Sequence, residues 1–555
     1  MRKTIIAIAC CIALLLLGYA GYRGYQVWKQ NHFIAMARGF AAQADVRNEL
    51  LCLQQVVRIN PRNLEACRLL AELSEAGRSP AALIWRQRIL ELNPGSVEDR
   101  LALVQTAMIF KDYETATNAL AGLDEAGKKS LQYHNLAGVM ATGLGQITEA
   151  ENHFSEAARL EPSNLVPQVN LAVLRLHGSN ELDMAEARIN LKRISLNSTN
   201  FSMRSQATRE LVVDAMRFKD TATALTLAQE LAQPTNAVFS DKLLRLDVLK
   251  ATRSTDLNPA LAQCQREASA DSAKLSEMTT WLMTRNSPAV ALVWLHSLPL
   301  QMQTNQPAAV LLAGCQVLVK DWPGMQTSLE KQNWAELEFV RHAFLARALR
   351  AQNMTGTSTA EWELAFKLAG NQKGTLISLF RLAAEWDWVN EAEEILWTIV
   401  NRYPEESWAG QTLKQALYLG GRTRPLMQLC LVQSKRSPAD LGIKNDLAMT
   451  AMLLDAQELT PYGLAREVYE KAPQNPSFAS TYAFSLYLQK QSAEALKVMQ
   501  KLAPQELNDP SVAGYYGLIL KATGDSAKAK AYLGWTTKAK LLPEERKLFN
   551  QAMSN

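Results

Sequence analysis

A short signature recurs along this chain at intervals of 33 to 35 residues, and it restricts the possible folds more than any other feature. An Ala lies five residues after a Gly and twelve before a Pro at Gly77, Ala82 and Pro94, and again at Gly145, Ala150 and Pro162. Ala392 and Pro404 keep the twelve-residue interval. Tyr482, Ala483, Ala495 and Met499 recur 34 positions later as Tyr516, Gly517, Ala529 and Leu533. Weaker copies centre on Ala116, Ala185, Ala224, Ala291, Met325 and Pro425, and one near Ala465 carries about five extra residues between its helices. A fixed period of this length marks an array of identical small units.

The residue types say what each unit must do. Small side chains at Gly138, Ala150, Gly517 and Ala529 let two helical backbones approach closely. Phe154, Leu396 and Leu533 are placed to fill the space between successive pairs, while Pro94, Pro162 and Pro404 lack an amide hydrogen and end the second helix. A hairpin built this way leaves one apolar face open, so only stacking on the next hairpin buries it.

The pattern resembles the tetratricopeptide repeat family, whose unit is a 34-residue helix–turn–helix. The resemblance covers about 40–545 in about 14 units. It implies an all-α fold: a right-handed superhelical solenoid, here preceded by one amino-terminal transmembrane helix. The soft, turn-rich stretches 233–236 and 352–358 divide it into a first array at 43–235, a divergent middle at 236–360 and a second array at 361–545. Residues 546–555 form a polar cap or tail.

Composition agrees with such a fold. Only 26 Gly and 20 Pro occur among 555 residues, and 48% of the chain is apolar, which excludes collagen-like, disordered and turn-rich all-β chains. A net charge of +5 spread over this length is too dilute for nucleic-acid binding. The seven Cys show no CxxC and no His nearby, so neither a zinc site nor a disulfide framework is indicated; only Cys52 and Cys67 lie close enough in sequence to pair across neighbouring helices.

The amino terminus reads as a membrane element. A basic leader at 1–3 precedes an uncharged stretch at 4–22, of which 5–22 would span about 27 Å as a helix. A transmembrane helix or signal-anchor at 4–25 is expected, followed by a helical connector at 26–42. Tyr19, Tyr22, Tyr25 and Trp28 recur every three residues, giving one face of amphipathic rings at the interface. Basic residues on the two sides are balanced, but the leader has the form of an export signal, so the body is expected outside the cytoplasm, on the periplasmic side. The alternative is a cleaved signal peptide releasing a soluble exported body.

Catalytic motifs are missing from the sequence. There is no HExxH, GxSxG or GxxxxGK[ST], and the six His show no ligand spacing; His134 and His153 fall in one repeat, but on its two different helices. The chain is therefore expected to be no enzyme and to take no cofactor or metal. Nine of twelve Trp lie between Trp281 and Trp408, as gap fillers between imperfect repeats or as a docking surface.

In the family it resembles, first helices line a concave face where ligands lie. Arg175, Arg209, Arg217, Arg341, Arg381 and Lys414 fall on such helices and are the candidate partner-binding residues. Together they would form an electropositive groove for acidic peptide segments. The resemblance thus implies a membrane-tethered scaffold for other proteins, in envelope assembly, secretion or polysaccharide export. The alternative is an anionic glycan or cell-wall polymer in that groove, and a remote one is an enzyme site in the divergent middle.

Overall fold

A computed structural model describes residues 2–43 and 45–554, with side chains from residue 21 onward except at position 538. Among the described residues there are 33 α-helices, four single-turn 3-10 segments and no strand. The chain falls into two compact units, Met1–Arg285 and Asn286–Asn555, and the boundary lies inside the stretch expected to be divergent.

Each unit is a row of antiparallel hairpins, and the turn within most of them has one construction. Helix Val97–Ile109 ends with Lys111 at φ +57°, Lys111 N donating to Met108 O (3.1 Å) and Asp112 N to Ala107 O (2.9 Å). Asp112 then caps helix Tyr113–Ala121 by accepting from Thr115 N. The end of one helix and the start of the next thus share a residue, which makes the turn tight. The left-handed position recurs at Arg78, Lys111 and Gly145, at Lys219 and Arg253, and at 320, 353, 387, 421, 455, 490 and 524. The period of the fold is written in these turns, mostly in residues other than glycine. A non-glycine residue in that conformation costs roughly 1–2 kcal/mol. Lys111→Gly is accordingly expected to raise the unfolding free energy by about 1 kcal/mol, part of the strain relief being offset by glycine's greater chain entropy. Urea unfolding of the pair measures it.

Close approach is visible where small residues were expected to allow it. A Cβ on Gly138 would lie 2.6 Å from the Phe154 ring, and one on Gly517 would lie 2.9 Å from Leu533 Cγ. Ala82, Ala150, Ala224, Ala291, Ala495 and Ala529 are buried. Pro94, Pro162 and Pro404 each stand two residues beyond the last residue of a second helix. The extra length near Ala465 is a 3-10 turn, Gln457–Leu459, inserted between the helices Leu441–Leu453 and Pro461–Lys471.

At the amino end one helix, Arg2–Ala42, covers both the expected membrane span and its connector. The span assigned to 4–25 lies, over 4–20, outside the residues whose side chains are described. Among the described residues no helix is long and apolar enough to cross a membrane. The described end of this helix docks on the first hairpins: Ile34 and Ala37 are buried, and Gln30 Oε1 accepts from Asn60 and Asn63 at 3.0 Å each. At the other end, helix Pro543–Ser554 is amphipathic, with Phe549 and Glu545 buried.

Candidate functional site

In the second unit, three successive first helices, Ser407–Leu419, Leu441–Leu453 and Pro476–Leu488, place their opening turns around a cleft of about 930 Å³. Side-chain caps fix those turns. Asp440 accepts from Ile443 N at 3.0 Å, and Asn475 from Ser477 N at 3.0 Å. Arg436, on the wall, donates to the carbonyls of Val400 and Asn401 and so satisfies the open end of helix Val389–Arg402.

Three groups give the cleft its chemistry. Lys414 pairs with Asp446 on the next first helix. Burial works to lower the Lys414 ammonium, but the facing carboxylate overcomes it and holds its pKa above the ordinary lysine value. Tyr403 and Phe478 add partly buried apolar surface. Asn445 is 4% exposed; its Nδ2 donates to Ser477 Oγ at 3.4 Å, while its Oδ1 is sealed from solvent and accepts from nothing. A buried acceptor left empty costs about 1–3 kcal/mol. The cleft holds no nucleophile beside a base, and burial pushes the nearby Cys430 thiol up to about 12.

The six basic residues expected to line a groove do lie on first helices, but their charges are mostly spent. Arg175 Nε donates to Glu151 at 2.7 Å and Nη1 lies 3.4 Å from Glu186. Arg209 donates to Asp241 at 2.7 Å, and the Asp241 side chain is 1% exposed. Arg217 donates to Leu176 O at 3.2 Å and sits over the Phe218 ring. Arg341 faces no groove: it is buried, held by Glu338 and by Leu329 O at 2.9 Å. Arg381 is exposed and makes no ion pair among the described residues. Of the six, only Lys414 lines the cleft.

For Arg209 and Lys414 the reason is a ladder the basic residues alone do not reveal. Arg68–Asp99, Arg209–Asp241, Lys414–Asp446 and Lys373–Glu406 pair across 31, 32, 32 and 33 residues. Stacking brings equivalent positions of successive first helices together, so an acid one repeat downstream meets each cation. That acid is visible in the sequence once one repeat length is added to each basic position. Asn445, by contrast, carries no sequence mark; its emptiness is a property of packing.

Stacking also joins residues placed apart in the sequence analysis. His134 and His153, on the two helices of one hairpin, meet through Nδ1 atoms 3.0 Å apart. Burial lowers both pKa values, the His153 charge lowers His134 further, Glu149 and Glu156 oppose, and Arg159 adds to the lowering. A depressed histidine pKa favours the neutral folded form, so this stabilisation is complete above about pH 6.5 and fades as pH falls through the folded values. His153→Gln is expected to remove that part of the acid sensitivity, read from melting temperatures between pH 7.5 and 5. The five described Cys are buried and form no disulfide, so Cys52 and Cys67 are not paired. Among the clustered Trp, six are buried and Trp322, Trp397 and Trp408 partly so, as core fillers would be.

No protein-family model matches the chain, and no curated protein matches it. Among solved structures, it is similar to one described as the APC/C hetero-tetramer Cut9–Hcn1, at TM-score 0.27 and 13% identity, covering 94% of this chain and 96% of that one. It is also similar to the structure of Naa15/Naa10 bound to HypK-THB, at TM-score 0.26 and 10% identity, covering 95% and 96%. Likeness at that level carries no argument; the repeat architecture rests on the hairpins themselves.

Proposed function

We propose that this chain is a scaffold that binds other proteins and holds an extended segment of a partner in the cleft at Lys414, Asn445 and Asp446. The observation that carries the reading is the cleft itself, about 930 Å³ between the opening turns of three successive first helices and wide enough for an extended peptide. Lys414 and Arg436 already have acceptors, so acidic side chains are not the main feature by which the segment is recognised. The same engagement of the basic residues leaves the polyanion reading without a free cationic track. Binding, rather than catalysis, is the activity, and stacking of the hairpins into a right-handed superhelix presents the surface.

The scaffold works from a membrane. An uncharged run at 4–22 supplies the anchor, and on the described part of that helix Tyr22, Tyr25 and Trp28 are 60%, 54% and 60% exposed, as rings at a bilayer interface would be. The body lies on the periplasmic side, where tethering raises its partner's local concentration.

A photo-crosslinking residue at Gln411, exposed in the cleft, tests the binding reading in intact cells, with Glu494 as a control position. A protein adduct at 411 that weakens with Phe478→Asp, a change on the cleft wall, is expected. No adduct at 411, or the same adduct at 494, contradicts it. Protease added to spheroplasts should cut the body without permeabilisation; protection places it on the other side.

A further inference from the structure

The second unit contains one arginine whose surroundings are unlike those of the paired ones. Arg347, in helix Glu338–Ala351, has its guanidinium carbon 5.7, 5.8 and 5.9 Å from the ring centroids of Trp322, Trp386 and Trp388. These rings come from the turns of the hairpins before and after it. Trp386 and Trp388 are 7% and 5% exposed and pack on each other at 5.3 Å, so the cage is rigid. Arg350, one turn on, lies 3.5 Å from the Trp388 centroid and is bound to Glu391 at 2.5 Å.

Arg347 itself has no acceptor. Its Nε is sealed without a hydrogen-bond partner, and no hydrogen bond or ion pair to either Nη exists among the described residues. The residue is half-buried with Nε closed off, so its open edge is the Nη pair. Asp387, between the two tryptophans, does not come within ion-pair distance. Aromatic faces attract the cation but cannot accept its five in-plane N–H groups. A guanidinium flanked by three rings, stripped of part of its water and left without an acceptor, is disposed to a forked contact with two oxygens of one anion. Burial lowers its pKa and the charge of Arg350 adds to that, against the opposing charge of Asp387.

We propose that Arg347 and its tryptophan cage form an oxyanion-binding site, taking a carboxylate or phosphate group on its Nη edge. The site stands apart from the cleft and does not depend on the cleft's role. It also gives the clustered tryptophans a use beyond filling: they hold the fork in place.

The test uses the full chain labelled with 5-fluorotryptophan, its ¹⁹F resonances assigned through W322F, W386F and W388F. Inorganic phosphate and succinate are titrated separately against sodium chloride of equal ionic strength. Saturable shifts of these three resonances are expected with at least one anion, and which anion acts separates a phosphate ligand from a carboxylate one. R347Q is expected to raise the half-saturating concentration at least about tenfold, R381Q to leave it unchanged. R347K, which keeps the charge and loses the fork, must also bind more weakly, and it decides the matter if R347Q does not fold. No shift beyond the chloride control with either anion, or wild-type saturation in a folded R347Q or in R347K, overturns the proposal.

Discussion

Phe549→Ala is expected to cost about 3–5 kcal/mol, the range for removing a fully buried phenyl ring from a packed site. Phe549 is 1% exposed, meets Tyr515 edge-on at 5.1 Å, and occupies the space that a Cβ on Gly514 would fill. It is the anchor by which helix Pro543–Ser554 seals the last hairpin. The same segment reaches back: Tyr418 Oη donates to Lys540 O at 2.9 Å, and Thr423 to Glu544. Glu545 accepts from Tyr515 Oη at 2.5 Å and from Leu542 N at 2.9 Å, and burial raises its pKa despite both bonds. In an array whose stability is a sum of neighbour contacts, loss of the seal should not stay local. Urea unfolding gives the size of the loss, and hydrogen exchange should show helices Pro510–Ala522 and Ser526–Trp535 losing protection before the first unit does.

The second large effect concerns a residue that sequence reasoning assigned to ligand binding. Arg209→Leu is expected to destabilise the fold by about 3 kcal/mol, because it leaves the Asp241 carboxylate buried with no cation. Asp241 Oδ2 already lacks a partner, so the site has no reserve. Adding Asp241→Leu should recover most of the loss, since a buried ion pair and a well-packed apolar pair are often nearly equal in stability. If Arg209 were a partner contact, the single variant would melt like the wild type. The double-variant cycle separates the two outcomes.

How far the sequence could be read follows from what each feature depends on. Small residues in phase are a local property, so Gly138 against Phe154 and Gly517 against Leu533 could be anticipated from spacing alone. Part of the turn register was hidden because Lys111, Asn353 and Lys490 take the left-handed conformation without the glycine that would mark it. The basic series is readable, but the acids that engage Arg209 and Lys414 sit one repeat away, so a basic position by itself does not distinguish a strut from a ligand contact. Arg341 differs again: its neighbour at Leu329 belongs to the preceding hairpin, and only the packing shows that it is buried. The empty Asn445 acceptor and the unpaired Arg347 are absences, and no spacing rule reports an absence.

Stacking of hairpins in chain order is the claim on which the cleft, the ladder and the cage all depend. A zero-length carbodiimide, which joins a lysine to a carboxylate only when the two touch, tests it directly in the intact chain. Mass spectrometry of the digested product should recover Lys373–Glu406 and Lys414–Asp446, which join one hairpin to the next, with Lys242–Glu267 and Lys444–Glu467 as controls inside single hairpins. Absence of the first two while the controls form, with lysines joined instead to carboxylates several repeats away, would mean that the hairpins are not stacked in sequence order.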